Sequence, residues 1–170
     1  MTIDTEALAD ITYGLYIVGA SFGGKPNAMI ANSIMQVTAS PVKLAACINK
    51  DSLTHEYISK TGIFSAQAIK QGADMIFIGN YGFRTGKDYD KFAKYKYELT
   101  PNNLPAVLEN TLDIFEVKVE AALDLGTHTL FAGPVISARV LARGEPLTYN
   151  YYHTVLRGKT PRGATTYKEV

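Results

Sequence analysis

Cysteine is all but missing from this chain: Cys47 is the only one in 170 residues. A lone thiol excludes an internal disulfide framework and fits a reducing cytoplasm. Charge of one sign is scarce too. Seventeen Lys and Arg stand against sixteen Asp and Glu, a net charge of +1, so no broad field draws nucleic acid or an acidic membrane. No run approaches the roughly 20 apolar residues that a spanning helix needs. The first residues are acidic (Asp4, Glu6, Asp10) where a secretory signal is basic. No Gly-x-Gly-x-x-Gly supports a Rossmann cofactor site, and no Gly-x-Ser-x-Gly elbow motivates a hydrolase triad. A cytoplasmic protein that contacts neither nucleic acid nor membrane is the expectation.

What is present is a globular composition, 46% apolar and 19% charged, enough for one well-packed core. The chain reads as a single domain over residues 1–170. Leu15–Ala20 is a strand, punctuated by the turn Gly23-Gly24-Lys25-Pro26-Asn27. Ala28–Thr38 and Val42–Ile48 follow as strands, broken near Ser40-Pro41. Asp51 or Ser52 opens a helix that Gly62 stops, and Ile63–Ile69 is another strand. Gly72–Gly82 suits a buried strand or a buried helix equally. Asp4 caps a short helix through Leu8, Asp88 caps another through Lys94, and residues 95–111 read as loop.

The sharpest period comes next. Phe115, Val117, Val119, Ala121 and Leu123 alternate with Glu116, Lys118, Glu120 and Asp124, the pattern of a strand with one dry face and one wet face. Gly126 ends it, and Thr129–Leu141 returns antiparallel. From Pro146 the chain reads as an extended, tyrosine-rich arm. At least six strands with short helical inserts predict a mainly β, closed antiparallel barrel, which leaves no sheet edge exposed.

The histidines, His55, His128 and His153, hold no metal-like spacing with Cys47, and no metal site is predicted. Gly19–Lys25 fits the opening of a P-loop, but Pro26 stands where Ser or Thr must hold Mg²⁺, so a plain turn is the better reading. Cys47, inside an apolar run, reads as a buried, inert thiol. Residues 27–55 are different: Asn27, Asn32, Ser33, Gln36, Asn49, Lys50, Ser52 and Thr54 are set between apolar strands. Such groups, inside segments too apolar to be all surface, suit a flat, amide-rich ligand with a phosphate tail. Lys50, Ser52 and Thr54 sit at a strand end that opens a helix, where backbone N–H groups and the helix dipole favour an anion. The competing reading is a helix cap beside a solvated lysine, and locally the cap is the commoner of the two.

Four ordered motifs then resemble the flavin reductase-like family of FMN-binding split barrels. They are Asn27-Ala-Met29 with Asn32-Ser33, Val37-Thr38 and Pro41; Ile48-Asn49-Lys50 with Thr54-His55, Ile58, Gly62 and Phe64; Phe83–Phe92; and Gly126-Thr127-His128-Thr129-Leu130-Phe131 with Gly133. The resemblance runs from about residue 10 to residue 153. Thr127 stands where the family has Asp, and Thr85 and Lys87 where it has Ser and Arg. The chain's end is similar to the subgroup that includes flavoredoxin and the flavin domains of fused rubredoxins, although no Cys-x-x-Cys follows.

The resemblance implies a homodimer with FMN at the subunit interface. Asn27, Met29, Ile30, Ala31, Asn32, Ser33 and Gln36 would face the flavin. Asn49, Lys50, Ser52, Thr54 and His55 would hold its phosphate side, with charge added by Arg84 and Lys87. His128 would lie where a nicotinamide could stack and is the one catalytic candidate. The implied activity is an NAD(P)H-dependent flavin reductase using NADH or NADPH, passing electrons to flavin or to a small redox protein. A flavoredoxin-like carrier that keeps its FMN and does not turn over NAD(P)H is the alternative. Arg139, Arg143, Arg157, Lys159 and Arg162 are the surface expected to meet an acidic, rubredoxin-type acceptor, unless the arm instead covers the dimer.

Overall fold

The computed structural model describes residue 4 and residues 6–167. The chain opens with a 3₁₀ turn, Ala7–Asp10, and runs β1 (Tyr16–Phe22), β2 (Lys25–Ala31), β3 (Ile34–Ala39), β4 (Val42–Asn49), α1 (Leu53–Thr61), β5 (Ile63–Ala68) and α2 (Met75–Gly82). It continues through β6 (Tyr97–Leu99), β7 (Pro105–Val107), β8 (Asp113–Lys118), β9 (Ala121–Asp124), β10 (His128–Val140) and α3 (Tyr149–Thr154). No described helix is long and apolar enough to cross a membrane.

Eight strands form one antiparallel sheet in the order β2-β1-β5-β8-β10-β4-β3, with β9 also on β10. The long β10 carries the architecture. Its first half pairs with β4 and β9, and its second half pairs with β8 across a register shift between Val135 and Ser137. A bulge of this kind bends a strand, so one strand serves two half-sheets. Val18, Ala46, Ile48, Phe64, Val117 and Phe131 from both halves, with Tyr57 and Ile58 of α1, make one core between them. Leu15, Ile17, Phe77, Ile78, Tyr81 and Tyr152 make a second core under α2 and α3.

Closure does not follow. Among the described residues β2 and β3 end the path and are not paired to each other, so the sheet stays open where a closed barrel was expected. The cause is local. The expected strand Ala28–Thr38 breaks at Asn32-Ser33, and β3 folds back on β4 in place of extending β2.

Other expectations shift for equally local reasons. Gly72–Gly82 resolves as helix because the Asp74 carboxylate caps it, accepting from Phe77 N at 2.7 Å. Residues 88–94 are turns, not helix: Asp90 accepts from Phe92 N at 2.9 Å and Lys91 turns inward. Residues 95–111 hold the β6–β7 ribbon in place of a featureless loop. Its strand β7 packs against β1 and β5, and the loop between β6 and β7 reaches β8. Glu116, expected to be wet, is therefore buried and accepts from Asn102 Nδ2 at 2.7 Å and Thr100 Oγ1 at 3.1 Å. Gln67 pairs both of its amide atoms with Val107 (2.8 and 2.9 Å). The chain also breaks after Lys118, leaving Leu123 of β9, expected to be buried, exposed. Asp4 accepts from Glu6 N but does not cap the 3₁₀ turn, which has no side-chain cap. The arm after Pro146 contains α3, capped by Thr148.

One buried cation joins the second core to the sheet. Lys91 Nζ donates to the carbonyls of Ala28 in β2 (2.8 Å) and Tyr81 in α2 (3.1 Å), while Asn80 Nδ2 donates to the Lys91 carbonyl at 2.7 Å. Burial pulls the Lys91 ammonium down to about 8 from 10.5. Between those values the unfolded chain binds more protons than the folded one, so stability rises with pH across the window. In urea unfolding, the natural chain should gain up to about 3 kcal/mol over Lys91→Met between pH 8 and pH 10.5. A difference that stays flat across that range would contradict a buried, charged Lys91.

Candidate functional site

The break at Asn32-Ser33 opens a cavity of about 310 Å³. Its walls come from β2, the end of β4, the first turn of α1, α2, the loop after α2, α3 and the C-terminal segment. Leu15, Met29, Ile30 and Ile78 are among its apolar lining residues, and Asn27, Asn32, Ser33 and Asn49 among its polar ones. Ser33 is clasped to β4 twice: its Oγ donates to the Cys47 carbonyl at 2.8 Å and its carbonyl accepts from Cys47 N at 3.1 Å. Cys47 is half-buried in the cavity wall, and burial pushes its thiol up, away from the reactive thiolate.

At the far end, buried Asn27 donates Nδ2 to Thr54 Oγ1 at 2.7 Å. The Arg84-Thr85-Gly86 loop comes down on the same amide. A Cβ at Gly86 would lie 1.9 Å from Asn27 Oδ1, so only glycine permits this approach. Arg84, with its guanidinium 4.8 Å over the Tyr89 ring, and the first turn of α1 line the cavity here. Ser52 is the helix cap: its Oγ accepts from His55 N at 3.1 Å and donates to the Asn49 carbonyl at 2.8 Å.

His128 stands where the cavity meets a wider cleft of about 890 Å³ lined by Lys50, Thr127, Arg162 and Tyr167 among others. Its Nε2 lies 3.2 Å from the Gly163 carbonyl, which can only accept, so Nε2 carries the hydrogen. Nδ1 is then free to accept from the Thr127 hydroxyl at 2.9 Å. A carboxylate at position 127 can only accept and would draw a hydrogen to Nδ1, whereas the threonine hydroxyl can donate to it.

Of the residues singled out from sequence, Asn27, Met29, Ile30, Ala31, Asn32, Ser33, Asn49, Ser52, Thr54, Arg84 and His128 all line this cavity. Four lie outside it. Gln36 is exposed on β3 and donates to the Thr38 carbonyl. Lys50 lines the outer cleft and pairs with Asp124 at 2.5 Å. His55 pairs with Thr129 at 2.8 Å, its ring against Phe131, and burial and then Lys50 hold it below the ordinary imidazole range. Lys87 is exposed. Sequence reasoning placed none of Tyr149, Tyr152, buried Lys91, Thr160, Pro161, Gly163, Ala164 and Thr165 at the flavin, and read Lys159 as partner surface, yet all of these line the cavity. The four hydroxyl and glycine positions crowded into residues 160–166 were the available signal. Among the described residues no group of three or more His, Cys, Asp or Glu is placed to hold a metal.

Known proteins resemble this chain in sequence and in fold. A high molecular weight rubredoxin of Moorella thermoacetica is 42% identical over 97% of this chain and 72% of its own. A ferric-chelate reductase (NAD(P)H) of Archaeoglobus fulgidus is 40% identical over 98% of this chain and 99% of its own. The solved structure of an NADH:FAD oxidoreductase from Streptomyces globisporus shares the fold at a TM-score of 0.74, with 22% identity over 84% of each chain. The sequence profile described as "Flavin reductase like domain" matches residues 8–158. That span takes in β1 through α3 and almost every wall of the cavity, and on it this chain belongs to the flavin reductase-like family.

Proposed function

We propose that residues 1–170 form one flavin-binding unit that holds FMN in the cavity and works as an NAD(P)H-dependent flavin reductase. The observation that carries this reading is the cavity's division of labour. Apolar lining that includes Leu15, Ile30 and Ile78 is combined with side-chain amides at Asn32 and Asn49, and Arg84 and the first turn of α1 are in the same wall. That donor set fits a flat ring with polar edges and an anionic tail. Asn32, Asn49 and Ser33 would hold the ring edges. Arg84 and the first turn of α1, with the Thr54 hydroxyl, would hold the phosphate. Ser52 would shape that turn as its cap. Bound FMN supplies the chemistry, accepting a hydride and passing electrons on. The chain's residues bind, orient and shield it, and His128 stands beside the mouth through which a nicotinamide would enter. NADH or NADPH is the reductant. Flavin or a small redox protein is the acceptor, and the similarity to a rubredoxin-bearing relative supports a rubredoxin-type partner.

A homodimer is part of the reading. Met35 and Val37 of β3, Val42 of β4, Leu123 of β9, and Ile136 and Val140 of β10 are all exposed. These residues belong to strands that neighbour one another in the sheet, a concentration that calls for a partner surface. The arginine patch is smaller than the sequence suggested, because Arg139 is committed to Glu98. The lone thiol fits a reducing cytoplasm. An electron carrier that keeps its FMN is the second reading, favoured by the C-terminal segment that closes over the cavity.

Three outcomes are expected. Anaerobic addition of NADH or NADPH bleaches the FMN-loaded protein within seconds; a flavin that stays oxidised with both would leave the carrier reading. Arg84→Gln weakens FMN about tenfold while riboflavin, which lacks the phosphate, is little changed, as for loss of one charged hydrogen bond. Lys50→Gln, which breaks only the pair with Asp124, leaves that selectivity intact; equal losses for FMN and riboflavin in Arg84→Gln would move the phosphate elsewhere. Sedimentation equilibrium gives twice the chain mass, and Leu123→Glu lowers it; a monomer at micromolar concentration would remove the dimer.

A further inference from the structure

The family profile stops at residue 158, and the segment just beyond it closes the cavity. The chain reverses sharply there. Arg157 takes a left-handed φ of 55°, and Gly158 lies so close to Tyr152 that a Cβ would be 2.0 Å from its ring. Gly158 N donates to the Tyr152 carbonyl at 2.9 Å, and the Gly158 carbonyl pairs with His153 Nδ1 at 2.9 Å. From this fixed pivot, residues 159–166 return across the site.

Their contacts are specific. Thr165 Oγ1 donates to Asn32 Oδ1 at 2.7 Å, and Asn32 Nδ2 donates to Thr166 Oγ1 at 2.9 Å. The buried Asn32 amide is thus held on both its atoms by consecutive threonines. The Tyr149 hydroxyl lies 2.6 Å from both Thr160 Oγ1 and Thr166 Oγ1, and the Gly163 carbonyl accepts from His128 Nε2. Few apolar groups help. Lys159, Arg162, Gly163 and Thr165 are exposed, so the segment is held mainly by polar side-chain bonds around a rigid pivot. Segments with few buried apolar contacts open at low free-energy cost while the rest of the fold stays intact.

We propose that residues 159–166 are a retention strap, and that Thr165 and Thr166 are positioning residues that set how fast FMN leaves. The proposal rests on the reading of the cavity as an FMN site. Closed, the strap forms one wall of the cavity, presents Asn32 in one orientation and fixes the hydrogen on His128 Nε2. Open, it frees the Asn32 amide and removes that wall. The Thr165–Thr166 clasp therefore determines whether this chain exchanges flavin with solvent, as a reductase that releases it must, or keeps it.

The test is the full-length double variant Thr165→Val and Thr166→Val, which keeps side-chain shape and deletes both hydroxyls, alongside the Thr→Ser pair, which restores them. Two readouts are used: trypsin cleavage after Arg162 without flavin, and exchange of bound FMN against excess riboflavin, followed by fluorescence. Both rates should rise about tenfold or more in the valine pair, which loses two bonds to Asn32 and one to Tyr149, and return toward the natural rates in the serine pair. Unchanged FMN exchange in a valine pair that binds FMN overturns the strap and leaves the FMN site standing, whether or not cleavage speeds up. If the natural chain binds no FMN at all, the FMN reading fails and the retention role with it, and the cleavage rates then report only a clasp.

Discussion

The double clasp between Ser33 and Cys47 is the constraint on which the site depends. With both backbone and side chain of Ser33 bonded to Cys47, the chain must leave β2 at Asn32 and turn back as β3 onto β4. That reversal keeps the sheet from closing along β2 and points Asn32 into the gap. Several polar groups of the cavity are then placed from one side or the other of the corner: Asn27 five residues earlier on β2, Asn49 at the far end of β4, and the C-terminal threonines reaching back to Asn32 itself. A single continuous strand through residues 28–38 would put Asn32 in a ladder and leave no cavity.

Much of this was legible in the sequence, and the residues show why. The helix Leu53–Thr61 was readable because Ser52 and Gly62 use local chemistry, a side-chain cap and a left-handed stop. The strands β1, β4, β5 and β10 followed from apolar runs bounded by turns. Most of the polar band Asn27–Thr54 lines one cavity, and its grouping was readable because amides and hydroxyls inside apolar strands need partners. Glu116 and Lys91 were not readable. Each is a charged residue whose burial depends on distant backbone or side chains: Thr100 and Asn102 for one, the carbonyls of Ala28 and Tyr81 for the other. Leu123 failed in the opposite direction, since period 2 gives the two faces of a strand without saying whether anything covers either.

The end of the cavity beside α1 shows the same limit at the scale of one residue. Lys50, Ser52 and Thr54 share a short segment, and spacing alone could not separate an anion site from a helix cap. The structure divides them: Ser52 caps, Lys50 turns outward to Asp124, and Thr54 stays with Asn27 in the cavity wall. Arg84 also lines the cavity there, supplied by a loop that comes down on Asn27 at Gly86. Thr127 likewise acts through hydrogen-bond polarity, presenting a hydroxyl to His128 Nδ1 while Nε2 donates to the Gly163 carbonyl of the C-terminal segment.

The measurement that bears most directly on the whole account is flavin retention by the purified, full-length chain. After reconstitution with excess FMN and gel filtration, the absorption spectrum and mass analysis of the released ligand should show one FMN per chain. A protein that emerges colourless, and that takes up no FMN at micromolar concentration, would contradict the assignment of the cavity.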